Sequence, residues 1–265
     1  MTGQTSLRLL DYSKMTKPDI TVAIPTYHRP DLLARALRSV QLQEHENWEC
    51  IVFSDHCPKA GQVYEELFKE DKRIRFTENS DTKIKNVGAV GVNYALNNAR
   101  SNVITYLCDD NVLLPNHLAV LCQHLAHPDI DVVETQNYII SIGPGDGGIK
   151  EILERGFYSD MEMTHEISPY ADMLRLGNNI DMNILWRTFH ELEEQSLPSP
   201  YNEDGYFMED LRKKSIGWKT VDDCTAIYYA RSAVNKRDED YHNKVLALSA
   251  SDIFVYPELM EEVLS

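Results

Sequence analysis

The chain has 265 residues, 43% of them apolar and 26% charged, proportions that exclude a fibrous or disordered protein. With 26 Lys and Arg against 42 Asp and Glu, the formal charge is −16, which disfavours nucleic acid and anionic lipid surfaces as partners. Five cysteines, an odd number with no CxxC pair, exclude a disulfide framework and a zinc finger and lead us to expect a reducing, cytoplasmic setting.

The acid excess is uneven, with −12 of the −16 falling after residue 150. Met1 to Met15 holds no continuous apolar stretch, so no signal peptide is expected. No run approaches the length of a transmembrane helix.

In chain order, residues 1–18 read as a polar lead-in. Ile20 to Ile24 is a β-branched run stopped by Pro25, hence a buried strand followed by a loop. Pro30 opens a helical pattern with Leu33, Ala36, Leu37 and Val40 on one face. Trp48 to Phe53 is a second strand, stopped at Ser54-Asp55, and a helix follows over Gln62 to Lys69. Arg73 to Thr77 is a weaker third strand, and Val87 to Ala99 is a helix with two glycines near its start. Val103 to Leu107 is a fourth strand, ending in Cys108-Asp109-Asp110-Asn111. Pro115 opens another helix, with Leu118, Leu121, Cys122 and Leu125 on one side.

Strands and helices in alternation predict an α/β fold, a mostly parallel sheet flanked by helices. After Asp131 the pattern changes. Val132 to Ile142 reads as a long strand, Gly143 to Gly148 as a turn and Ile149 to Tyr158 as a return arm. Ile180 to Trp186 reads as a strand, Thr188 to Gln195 and Asp204 to Lys214 as helices, and Lys219 to Tyr229 as a strand.

In open parallel sheets ligands bind beyond the carboxyl ends of the strands. Those ends here hold Pro25-Thr26-Tyr27, Ser54-Asp55 and Asp109-Asp110. Adjacent carboxylates repel unless something positive offsets them. A divalent cation is one natural partner, since Mg²⁺ and Mn²⁺ use one or two carboxylates plus substrate phosphates. A solvated loop is the alternative.

Three segments, Val22 to Val40 (VAIPTYHRPDLLARALRSV), Trp48 to His56 (WECIVFSDH) and Ile104 to Leu118 (ITYLCDDNVLLPNHL), together resemble the family 2 glycosyltransferases of the GT-A fold. The first helix ends in the family's SV-x-x-Q pattern, here Ser39-Val40-Gln41-Leu42-Gln43, and Asn93 precedes Asp109 by the family's 16 residues. The Asp-Asp-Asn form followed by apolar residues and Pro115 is similar to the family's spore-coat polysaccharide glycosyltransferases. The family's basic residue before Asn93 and its following glycine are missing, and Ser54 stands where a second acid is common.

The resemblance covers residues 19–130 well and implies a nucleotide-sugar-binding region there. It further implies an acceptor and catalytic-base region over 131–230 and a tail over 231–265, all within one GT-A domain. It implies a metal-dependent inverting transfer from a UDP- or dTDP-sugar to a glycan or small-molecule hydroxyl, with Mn²⁺ or Mg²⁺. Pro25, Thr26, Tyr27, Asp55, Asn93 and Asp109 would bind the nucleotide, Asp55 through the N3–H of uracil or thymine. Asp110 would hold the metal, with His242 as a late ligand. Asp204, beside Glu203, would be the general base and Asp181 an acceptor contact. Each of these has a plain structural alternative: a turn acid for Asp55, a helix cap for Asp204, a strand-start polar residue for Asp181, a solvated side chain for His242. A non-catalytic GT-A-like binding module and a nucleotidyltransferase are the competing functions. The second would need a glycine-rich loop after the first strand, and Pro25 to Arg29 has no glycine.

Overall fold

Continuous apolar runs, buried on both faces, build the first strands of a central sheet. The computed structural model describes residues 17–79, 87–142, 151–157, 173–175 and 217–231. The elements run β1 (Ile20–Thr26), α1 (Pro30–Gln41), β2 (Trp48–Asp55), α2 (Pro58–Leu67), β3 (Ile74–Asn79), α3 (Val87–Asn98) and β4 (Val103–Tyr106). There follow β5 (Val112–Leu113), α4 (His117–Leu125), β6 (Val132–Ile142), β7 (Glu151–Phe157), β8 (Met173–Arg175) and β9 (Trp218–Arg231).

The described strands form one sheet in the order β3-β2-β1-β4-β8-β6-β9-β5, with β7 also on β6. The β3-β2-β1-β4 half is parallel, as the alternation of elements predicts. Beyond β4 the sheet is mixed. β8 runs antiparallel to β4 and β6, β6 and β9 are parallel, and β5 is antiparallel to β9. The expected hairpin is present, with β7 antiparallel to β6.

Pro25 does not stop β1, which runs through Thr26. The carbonyl of Ala23 accepts from Leu107 N on the β4 side. Two residues on, Pro25 faces the same side, where the paired register has ended at Ala23 and Tyr106. Its missing N–H therefore breaks no ladder bond. β2 likewise extends through Asp55, and α2 starts at Pro58 rather than Gln62 because proline is favoured in a first helical turn. The expected Ile180 to Trp186 strand, the helices over 188–195 and 204–214, and the 143–148 turn lie outside the described residues.

The core forms where α1 and α4 cover the sheet, with Leu33, Leu37, Leu118, Leu121 and Leu125 against Ile20, Val22, Ile24 and Trp48. Burying such side chains contributes about 1.5–3 kcal/mol each. The Arg73 guanidinium lies 3.8 Å from the Trp48 ring centroid and covers it. Fully buried Glu49 accepts from Thr21 Oγ1 (2.8 Å), Arg100 N and Nε (both 2.6 Å) and Arg75 Nη2 (3.0 Å). Burial alone would raise its pKa, but these donors outweigh that and hold it below the usual carboxylate value. No described helix is long and apolar enough to cross a membrane.

His117, the first residue of α4, is buried among hydroxyls. Its Nδ1 pairs with Thr225 Oγ1 at 2.8 Å, and Thr225 Oγ1 pairs with Thr135 Oγ1 at 2.6 Å, which joins α4 to β9 and β6. Burial pushes the imidazole down to about 3. The unfolded chain takes up a proton near pH 6.5 and the native state does not. The stabilisation is therefore complete above pH 6.5 and is lost as pH falls toward 3, at about 1.4 kcal/mol per pH unit. Urea unfolding of wild type and His117→Asn between pH 7 and 5 checks this: the wild-type decline should be steeper by about that slope.

Candidate nucleotide-sugar site

The winding of the parallel half-sheet reverses at β1, which has β2 on one side and β4 on the other. Such a switch point leaves a crevice beyond the carboxyl ends of the strands. Thr26 closes β1, Asp55 closes β2, and Asp109-Asp110 follow β4.

Thr26 Oγ1 donates to Asp109 Oδ2 at 2.7 Å. Arg29, just before α1, then spans the acid pair, with Nη2 2.6 Å from Asp109 Oδ1 and Nη1 2.7 Å from Asp110 Oδ2. The Asp109 side chain is fully buried and that of Asp110 is 11% exposed. Two carboxylates taken out of water this close together need a cation. Among the described residues Arg29 supplies that charge, a residue that the sequence did not single out. A search for a basic residue at the end of a neighbouring strand would have found it.

The backbone around the pair is held by a polar stripe on α1. Arg35, Ser39 and Gln43 stand four residues apart, on one side of α1 and its C-terminal extension. Arg35 Nη2 donates to the Asp110 carbonyl. Leu113 N donates to Ser39 Oγ (3.2 Å). Gln43 Nε2 donates to the Leu114 carbonyl (2.7 Å), and Leu118 N donates to Gln43 Oε1 (3.0 Å). Asn116 gives α4 no side-chain cap, so Gln43 caps that helix from a distance. The Ser-Val-x-x-Gln pattern thus has a physical basis, because its Ser and Gln stitch α1 to the acid-bearing loop.

At β2, Asp55 is buried, and its Oδ1 accepts from Asn79 Nδ2 (2.6 Å) and pairs with His56 Nδ1 (2.6 Å). Oδ2 of Asp55 carries no bond among the described residues. His56 has φ 51° and His28 has φ 53°. Non-glycine residues in this left-handed region are uncommon and concentrate where surrounding structure imposes them, often at functional sites. Ser54 is buried and its hydroxyl donates to the Cys57 carbonyl at 3.5 Å, so it is tied into the turn after β2.

Tyr27 is 49% exposed, with its ring 4.2 Å from that of His28. Pro25, expected on the first loop, is instead a buried strand residue packed against α3. A Cβ on Gly91 would meet Pro25 Cβ at 2.9 Å and Phe53 Cδ1 at 3.1 Å, so only glycine lets α3 lie this close. Asn93 lies half-buried on α3, just beyond Gly91. The structure thus brings together Thr26, Asp109 and Asp110, with Asp55 at the next strand end. Asp181, Glu203, Asp204 and His242 lie outside the described residues. Among the described residues no three His, Cys, Asp or Glu side chains form a metal cluster.

Residues 21–183 match the family described as "Glycosyl transferase family 2". A curated relative, the GalNAc(5)-diNAcBac-PP-undecaprenol beta-1,3-glucosyltransferase of Campylobacter jejuni, is 34% identical over 107 residues, 40% of this chain and 34% of that protein. The chain spans about a third of the length of the curated relatives it matches. Two solved structures share the fold. The mannosyltransferase PcManGT of Pyrobaculum calidifontis, in complex with GDP-Man and Mn²⁺, aligns with TM-score 0.53 at 16% identity over 89% of this chain and 62% of that one. Residues 1–349 of S. aureus TarS, in complex with UDP-GlcNAc, align with TM-score 0.56 at 14% identity over 88% of this chain and 67% of that one.

The Gln43 stitch makes a direct prediction. Gln43→Ala leaves the Leu114 carbonyl and the Leu118 amide without that partner and should cost about 2 kcal/mol in urea unfolding. Amide exchange at Leu118 should accelerate well before global unfolding.

Proposed function

The chain belongs to glycosyl transferase family 2, and from that premise we propose that it moves a sugar from a UDP- or dTDP-sugar to a hydroxyl of a glycan or small-molecule acceptor. The observation that carries this reading is the convergence of Asp55, Thr26, Asp109 and Asp110 at the carboxyl ends of three parallel strands around the switch point.

Asp55 reads the base. With Oδ1 engaged by Asn79 and His56, Oδ2 is left to accept from the N3–H of uracil or thymine, and the exposed Tyr27 ring offers a face for stacking. Asn93, on the helix over β1 and β2, and Asp109, anchored by Thr26, complete the nucleotide side.

The residues present fit Mn²⁺ or Mg²⁺. The donors are hard carboxylate oxygens, two acids stand together among the described residues, and these ions take one or two carboxylates plus substrate phosphates. Asp110, the more exposed of the pair, would hold the ion, with His242 as a further ligand. When bound, the ion offsets the charge that grows on the departing diphosphate. The Mn²⁺ complex of PcManGT and the UDP-GlcNAc complex of TarS support such a donor side.

Asp204, with Glu203 beside it, takes the proton from the acceptor hydroxyl as its oxygen attacks the anomeric carbon opposite the leaving group, which inverts the configuration. Asp181 contacts the acceptor. The 131–230 region supplies that side, and its excess of acid disfavours anionic acceptors. None of the five cysteines is in a disulfide, which supports a cytoplasmic setting.

Calorimetric titration of UDP, dTDP, GDP and ADP, each with and without Mn²⁺, tests the donor side. One pyrimidine diphosphate should bind in a Mn²⁺-dependent way, at least about 10-fold more weakly in Asp110→Ala. Absence of binding by every diphosphate overturns the assignment. With a donor in hand, Asp204→Asn should lower kcat by about 10²–10⁴ while leaving UDP affinity unchanged.

A further inference from the structure

We propose that Arg29 is a built-in stand-in for the metal: it offsets part of the charge of the acid pair while the site is empty, then releases Asp110 and turns that prong of its guanidinium onto the donor diphosphate. The inference rests on the donor-site reading above and concerns how that site changes state.

Three observations carry it. First, the guanidinium does not grip one carboxylate with both prongs. Nη1 donates to Asp110 Oδ2, while Nη2 meets Asp109 Oδ1 as a charge contact at 2.6 Å, so the two contacts can open separately. Second, the two acids differ. Asp109 is fully buried and also takes the Thr26 hydroxyl, whereas Asp110 is 11% exposed. The Asp110 bond is therefore the one within reach of an incoming ion. Third, the Arg29 side chain is 25% exposed, more than either acid it touches. A ligand coming to the pair from solvent meets the guanidinium.

The net charge of these groups is the same in both states. Among the described residues, two carboxylates face one guanidinium before the donor arrives. A divalent cation and a diphosphate then add equal and opposite charge. If Arg29 stayed on Asp110 it would compete with the cation. If it lets go, the freed N–H groups pair with phosphate oxygens, for which the guanidinium fork is suited. The anchor on Asp109 keeps the guanidinium in place, and the Arg35 bond to the Asp110 carbonyl holds the backbone while the side chain changes partner. Arg29 is thus a positioning residue for the empty site and a ligand for the filled one.

The test uses Mn²⁺ alone and then UDP, on wild type, Arg29→Gln, Arg29→Lys and Asp110→Ala. Mn²⁺ binding without nucleotide is followed by the loss of the free-ion electron paramagnetic resonance signal. Arg29→Gln should bind Mn²⁺ about 10-fold more tightly than wild type, yet bind UDP at saturating Mn²⁺ about 10-fold more weakly. Its melting temperature should fall in metal-free buffer and recover with Mn²⁺, which a purely structural role for Arg29 would not produce. Arg29→Lys, one point charge for two acids, should lie between the two in Mn²⁺ affinity. It is also the variant that decides if Arg29→Gln does not fold, and wild-type values for both ligands would then overturn the proposal. Equal or weaker Mn²⁺ binding by Arg29→Gln, with binding still lost in Asp110→Ala, overturns the proposal and leaves the metal reading standing. Absence of Mn²⁺ binding in every variant, with or without UDP, overturns the metal reading itself and this proposal with it.

Discussion

Two carboxylates side by side and almost out of water are the constraint around which this half of the molecule is arranged. Such a pair is unfavourable unless a cation and hydrogen-bond donors meet it. Asp109 and Asp110 meet Arg29 from the start of α1 and Thr26 from the end of β1. Arg29 and Thr26 lie far away in sequence, so these contacts form only once β1 and β4 lie side by side. The folded sheet is what makes the acids tolerable, and the acids stand where a ligand would need them.

The same economy governs the backbone. A loop carrying two acids between β4 and β5 draws hydrogen bonds from outside itself besides the internal one from Asn111 N to the Cys108 carbonyl. Helix α1 and the residues that follow it supply them from one side, through Arg35, Ser39 and Gln43. A helix is a stiff rod, so three contacts spaced by one turn fix the loop relative to the core that α1 also builds. The two-residue strand β5, paired with Ala226 and Ile227 of β9, closes the loop from the other side. The site is therefore held by both halves of the sheet.

Much of this was legible in the residues. The runs that form β1, β2 and β4 are apolar and β-branched, and burial on both faces leaves no other reading of them. The apolar face of α1, the long strand β6 and its return arm β7 follow from periodicity and a glycine-rich turn. Strand ends were less legible. Pro25 reads as a stop, yet lies inside β1 because its missing N–H points where no partner strand continues. β5 is too short to leave a pattern, and β8 takes its place between β4 and β6 through pairing alone. Of the site, Asp55, Asp109 and Asp110 were visible as acids at strand ends. Arg29, Asn79 and His56 were not, because each matters through a partner set by the sheet rather than by its own neighbours in sequence.

What the sequence by itself determined is the class of protein: an α/β chain with a parallel half-sheet, acids at the carboxyl ends of its strands, and motifs in the order and spacing of the family 2 glycosyltransferases. Those properties are local, written in runs, periods and intervals that hydrophobic burial and backbone geometry read directly. What only the tertiary structure decided is the electrostatic state of the site: which cation meets the acid pair, which oxygen of Asp55 is engaged, and which helix holds the loop. These are relations between residues that meet only when the chain has folded. Coulomb and hydrogen-bond energies depend on distances of a few ångströms, which no one-dimensional pattern records.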